Sequence, residues 1–127
     1  MMSIGKELAA WACKSTSITK GVDDAGRHTF ALNCEGTVKG AWTGASLMTL
    51  HVVSADLATG TYTATAAVYL EDGSAVTATG SGVLGACGPH EWRLNGFGLV
   101  ADGTRFAFEG VMALASRSLD GKLHAVD

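Results

Sequence analysis

Between Thr59 and Leu114 the chain alternates apolar or small residues with polar ones through four successive runs. The even positions carry Tyr62, Ala64, Ala66, Val68 and Leu70, then Val76, Ala78, Gly80, Gly82 and Leu84. They continue with Trp92, Leu94, Gly96, Gly98 and Val100, then Phe106, Phe108, Gly110, Met112 and Leu114. The odd positions carry mostly Thr and Ser at first, then Glu91, Arg93, Asn95, Arg105 and Glu109. Alternate residues of a strand face opposite sides of its sheet, so a period of two predicts four strands with one apolar face. The joints fall at Glu71-Asp72-Gly73, Gly85-Ala86-Cys87-Gly88-Pro89 and Ala101-Asp102-Gly103. Their spacing of about fifteen residues is that of an antiparallel meander.

A hairpin keeps even opposite even only when its loop has an odd number of residues. Xxx-Asp-Gly, with a left-handed glycine, forms such a loop. Pairing Val100 with Thr104 sets Gly98 opposite Phe106, Gly96 opposite Phe108 and Leu94 opposite Gly110. Pairing Leu70 with Ser74 sets Tyr62 opposite Gly82 and Val68 opposite Val76. A ring laid over a cross-strand glycine keeps that glycine in a sheet. Many glycines on one face also favour the strong coiling that closure into a barrel requires.

The flanking segments carry weaker patterns. Ser3 to Cys13 reads as a short helix capped by Ser3, with Leu8 and Trp11 as its stripe, or as a frayed end running into a strand. Lys14 to Lys20 reads as a first strand, Asp23 to Gly26 as a turn and Arg27 to Cys34 as a strand. Glu35-Gly36 is expected to bend the chain before Thr37 to Trp42. In Gly40-Ala41-Trp42-Thr43-Gly44 the glycines are expected to kink a long strand so that the indole closes one end of a barrel. Ser46 to Ser54 is the next strand, and Asp56 to Gly60 turns into the central block. Leu119-Asp120-Gly121 reads as a turn before a last strand, Lys122 to Val126. The expected fold is all-β: one domain, residues 1–127, forming an antiparallel up-and-down barrel of about eight or nine strands. A two-sheet β-sandwich is the alternative.

Composition narrows the function classes. With 127 residues, 47% of them hydrophobic, the chain can build a sizeable core. Its net charge of −3 gives no basic footprint for nucleic acid. No apolar run is long enough for a spanning helix, so no membrane partner is expected. Lys6 and Glu7 interrupt what would be the apolar part of a signal peptide, which reads as a cytoplasmic chain. Three cysteines, an odd number, fit reduced thiols.

Candidate chemistry is sparse. Cys87-Gly88-Pro89-His90-Glu91 offers a thiol, an imidazole and a carboxylate, but zinc takes about four ligands, and His28, His51 and His124 are scattered. No metal or other cofactor is expected. Ile18 should share a face with Phe30 and Leu32, which puts Cys13 on the face opposite Cys34 and argues against a disulfide. Arg93, Asn95, Arg105 and Glu109 share the outer face of the last long hairpin. They form either a polar pocket with Glu109 as general base or, as preferred here, a solvated face of charge pairs. Phe97, Leu99, Val111 and Ala113 lie on that same face and would suit a homo-oligomer contact.

Gly40-Ala41-Trp42 is a G-x-W element, and Thr59-Gly60-Thr61-Tyr62 follows it. The segment 40–66 resembles the first hairpin of avidin-type barrels and is similar to the G-x-W start of lipocalins and nitrobindin-like proteins. The resemblance to these calycin-type barrels implies a small ligand-binding barrel, with Ser46 and Tyr62 near ligand hydrogen-bonding positions. Thr43-Gly44-Ala45 stands where the avidin pattern has an Asn or Asp, and no tryptophan follows Trp92, so biotin binding is not implied.

The preferred functional reading is a binding module that holds a small apolar or aromatic molecule inside the barrel. Its walls would be Trp42, Leu47, Tyr62, Trp92, Phe106, Phe108 and Met112. The alternatives are a cofactor-independent isomerase or cyclase using Glu109, His51 or Tyr62 for proton transfer, and an oligomeric structural domain without a ligand. A binder should hold an apolar cavity of roughly a few hundred Å3, and an enzyme should place paired titratable groups inside it.

Overall fold

A computed structural model describes residues 4–126. Eight strands follow one another: β1 (Ile4–Val22), β2 (His28–Gly40), β3 (Gly44–Ser54), β4 (Thr59–Leu70), β5 (Ala75–Gly88), β6 (Glu91–Val100), β7 (Arg105–Ala113) and β8 (Ser118–Val126). Each pairs antiparallel with its neighbour in sequence, and β8 pairs back onto β1 to close a barrel. Cross-strand steps from Ile18 through Leu32, Leu50, Ala64, Gly80, Gly98, Phe106 and Ala125 return to β1 between Ile4 and Glu7. The return point lies roughly a dozen residues before the start, so the strands are steeply tilted to the barrel axis.

The even face of the central block is the inside. Tyr62, Ala64, Leu84, Leu94, Val100 and Phe106 are buried, while Arg93, Asn95, Arg105 and Glu109 point outward. The register is the one the Asp-Gly loops predict. Gly98 faces Phe106, Gly96 faces Phe108, Leu94 faces Gly110, Tyr62 faces Gly82 and Val68 faces Val76. Val100 N donates to Thr104 O (2.8 Å) and Leu70 N to Ser74 O (2.9 Å). Gly73 and Gly103 take φ of 89° and 97° in those loops, where an L side chain would be strained.

The N-terminal segment departs from the expected helix. β1 runs through it for 19 residues, pairing with β2 on one side and β8 on the other; the Ser3 cap lies outside the described residues. Ala9, Trp11 and Cys13 alternate inward, a strand pattern that small residues conceal. A bulge between Ser15 and Ser17 then shifts the parity, so that Ile18, an even position, also packs against the core. The same bulge overturns the expectation for the thiols: Cys13 and Cys34 both face inward, buried and free.

Three further expectations are corrected. Glu35-Gly36 does not bend the chain, because β2 runs straight through it. Gly40 to Gly44 is the β2–β3 turn, not a kink inside a strand, although Trp42 does fold onto the core at that end. Leu119-Asp120-Gly121 is strand interior, and the turn comes earlier, with Arg117 at φ 57°. Gly121 is needed for packing: a Cβ there would come within 2.3 Å of the Trp11 ring.

Candidate functional site

The barrel interior is neither open nor filled. Leu50, Leu94 and Leu119 are wholly buried within its core cluster. Two apolar chambers remain, one toward each end of the barrel.

The first chamber, of about 130 Å3, opens toward the β3–β4, β5–β6 and β7–β8 turns. Its walls include Ile18, Phe30, Leu32, Val52, Leu84, Trp92, Met112 and Leu119, with Leu57, Leu114 and Arg117 at the rim. The β3–β4 turn is a built rim rather than a loose loop. Asp56 Oδ1 accepts from the amides of Ala58 (2.9 Å) and Thr59 (2.8 Å), and these amides hold its carboxyl below the usual range. Ser54 Oγ accepts from Leu57 N (2.9 Å) and donates to Thr59 O (2.5 Å). The Trp92 indole Nε1 donates to Leu57 O at 2.9 Å, tying this turn to β6. Leu57 itself sits at φ 66°, an uncommon conformation for a branched side chain, held by those bonds.

The second chamber, of about 80 Å3, opens toward the β2–β3, β4–β5 and β6–β7 turns. Trp11, Val38, Trp42, Ser46, Met48, Tyr62, Val68, Val100, Phe106 and Phe108 line it. Phe108 is its centrepiece: the Trp11 ring stacks on it at 4.5 Å between centroids, and the Tyr62 ring tilts against it at 5.8 Å. Glycines make room for these rings. A Cβ at Gly110 would come within 2.9 Å of the Trp11 ring, and one at Gly96 within 2.7 Å of the Tyr62 hydroxyl.

The expected wall residues are divided between the chambers. Trp92 and Met112 line the first, whereas Trp42, Tyr62, Phe106 and Phe108 line the second. Leu47 lines neither; it points outward and is 51% exposed, because β3 buries its even positions and 47 is odd. Each chamber is also smaller than the expected few hundred Å3, because the interior space is divided between the two ends. Ser46 and Tyr62, the positions singled out by the avidin-type resemblance, both line the second chamber. Trp11 was not foreseen as a wall residue. The Ala-x-Trp-x-Cys alternation at positions 9 to 13 was the signal that could have placed it.

The candidate proton-transfer groups do not come together. Glu109 is on the outer surface, where His124 Nε2 lies 3.4 Å from its Oε1. His51 is also exposed on the outside. Tyr62 is inside, and burial pushes its hydroxyl pKa above the ordinary phenol value. No second ionisable side chain lines its chamber. The thiols Cys13 and Cys34 are as buried as Tyr62, and Cys34 lines the first chamber; burial first, then the neighbouring Cys34, pushes Cys13 up to about 11. Cys87, His90 and Glu91 do not form a cluster, and among the described residues no three His, Cys, Asp or Glu side chains come together to hold a metal. Phe97 and Leu99 stand about half exposed on the outer face, opposite Ala107 and Arg105. Val111 and Ala113, partly covered, lie toward the other end of that hairpin opposite Arg93 and Glu91, so the four do not form one patch. No protein-family model matches the chain, and neither a curated protein nor a solved structure is significantly similar to it.

Proposed function

We propose that this barrel is a binding module for compact apolar or aromatic molecules, held in its end chambers. The observation that carries this reading is the pair of apolar chambers, one toward each end of the barrel. Interiors normally pack with few voids larger than a water molecule, so two apolar hollows in one small barrel call for an occupant. Size limits that occupant. Pockets for drug-sized ligands measure about 300–1,000 Å3, whereas an apolar cavity of about 150 Å3 takes up a single benzene. Chambers of about 130 and 80 Å3 therefore suit molecules of about one ring or a short branched chain. Holding, rather than proton transfer, is the favoured role, because Glu109 and His51 lie outside and no second ionisable side chain lines the chamber that holds Tyr62.

The three tryptophans make the test direct, since Trp92 lines the first chamber and Trp11 and Trp42 line the second. Nitrogen-15-labelled protein is titrated with benzene, toluene and cyclohexane while the indole N–H resonances are followed. Saturable shifts at Trp92, or at Trp11 and Trp42 together, are expected. If none of the three resonances moves saturably with any probe, the reading is wrong.

A further inference from the structure

We propose that two copies of this chain associate through the outer face of β3, β4, β5 and the end of β6, related by a twofold axis that runs along β5. The contact lies on the outside of the barrel and is independent of what the chambers hold.

Charge marks the face. The chain has nine basic and twelve acidic residues, and none of them lies in β3, β4 or β5. Each of the other five strands carries at least two. Strand propensity does not account for this, because β7 and β8 are strands with charged outward residues. Thr49, Thr65, Thr79 and Leu99 form one outward row across the face. His51, Thr63, Ser81 and Phe97 form the next. Among the described residues nine large apolar side chains are exposed, and five of them, Leu47, Tyr69, Val83, Phe97 and Leu99, lie here. Depleted charge together with grouped exposed apolar side chains distinguishes interaction surfaces from the rest of a protein's exterior.

A second copy is the occupant that the relief fits. The outward Thr77, Thr79 and Ser81 of β5 are short, and the barrel wall curves away on either side of them. On one side Phe97 and Leu99 stand out from β6. On the other a shallow groove is lined by Leu47, Thr49, Thr65, Ala67, Thr77 and Thr79, with Glu35 at its far edge. A twofold axis along β5 lays β6 of each copy over β4 of the other, so every contact occurs twice. Leu99, in the row of Thr65, then enters the groove of the second copy. The short side chains let the two β5 strands approach, and Phe97 and Leu99 fill the gap that opens as the barrels curve apart. No like charges meet. A face four strands wide and about nine residues long covers about 600 Å2 of sheet. Two copies then bury on the order of 1,200 Å2, the lower end of the range for specific interfaces.

Sedimentation velocity of the full chain over a range of concentrations should show a monomer–dimer equilibrium. The axis sets Thr79 of one copy against Thr79 of the other. Thr79→Lys and Thr79→Glu should therefore each be monomeric through like-charge repulsion. An equimolar mixture of the two should dimerise as a mixed pair, identified by native mass spectrometry, which also shows that both variants fold. Leu99→Ala, which removes only the groove contact, should weaken the dimer at least about tenfold. Thr37→Lys, at an outward position of β2, should dimerise as the unmodified chain does. A chain that stays monomeric at every concentration overturns the inference. So does a dimer indifferent to Thr79→Lys or to Leu99→Ala, or a mixture of the charged variants that does not pair. A monomer that instead floats with phosphatidylcholine vesicles assigns the face to a lipid surface and overturns it equally.

Discussion

The ring of Phe106 lies across the backbone of Gly98: a Cβ at position 98 would come within 2.3 Å of Phe106 Cζ. The two residues face each other across β6 and β7, and the ring is buried while the glycine offers it a bare stretch of sheet. Side-chain volume on one strand is thus matched by its absence on the next, and the barrel closes around the match.

Gly98→Ala should therefore destabilise the barrel by about 1–3 kcal/mol, the usual cost of overpacking. Phe106→Leu in the same chain should recover part of this loss, because the ring end is one of the atoms in the way. Recovery should be incomplete, since Thr79 O also stands 2.5 Å from the added Cβ. Urea unfolding of the two single variants and the double variant gives the coupling directly. Additive effects would mean that the ring does not cover the glycine.

Tyr62→Phe should leave the ligand-free protein as stable as before or raise its stability by about 1 kcal/mol. The hydroxyl has no partner among the described residues, and removing an unpaired buried polar atom removes its desolvation cost. Thermal unfolding of ligand-free protein measures this. A loss of stability of similar size would show that the hydroxyl is bonded in the folded chain.

Native protein should titrate one thiol with a disulfide reagent near pH 8, and three after unfolding. Cys87 is exposed, whereas Cys13 and Cys34 are buried with raised pKa values, and the thiolate is the reacting form. Alkali should also reveal the burial. The unfolded Cys13 thiol ionises from about 9 and the folded one only near 11, so its contribution to stability is intact below pH 9 and falls as pH rises through 11.

Acid should loosen the turns. Asp23, Asp56 and Asp102 are held below the ordinary 3.8 first by turn amides that they accept, and Asp72 first by the Ser74 hydroxyl and then by the Ser74 amide. A depressed folded value means stability that is present above pH 3.8 and lost as pH falls through that lower value. Urea midpoints measured from pH 6 to pH 2 should drop on the acid side. Asp56→Asn, which keeps an acceptor oxygen without the charge, should flatten part of that drop. An unchanged acid limb in this variant would show that Asp56 contributes nothing to it.

The local pattern alone determined the central block. Parity from Tyr62 to Met112 set inside and outside, and the Asp-Gly loops at Gly73 and Gly103 set the register. Such information is local: each side chain's face follows from its neighbours two positions away, and each loop length from its own glycine. Only the tertiary structure decided the course of β1, because its partners, β2 and β8, include the far end of the chain. The bulge at Ser15–Ser17 reverses parity with no local marker, so Cys13 turned inward against expectation. The chambers were beyond the sequence for a different reason. A cavity is the small difference between the space a closed barrel encloses and the volume its side chains occupy. Trp11, Tyr62 and the buried leucines settle that difference only when strands distant along the chain meet.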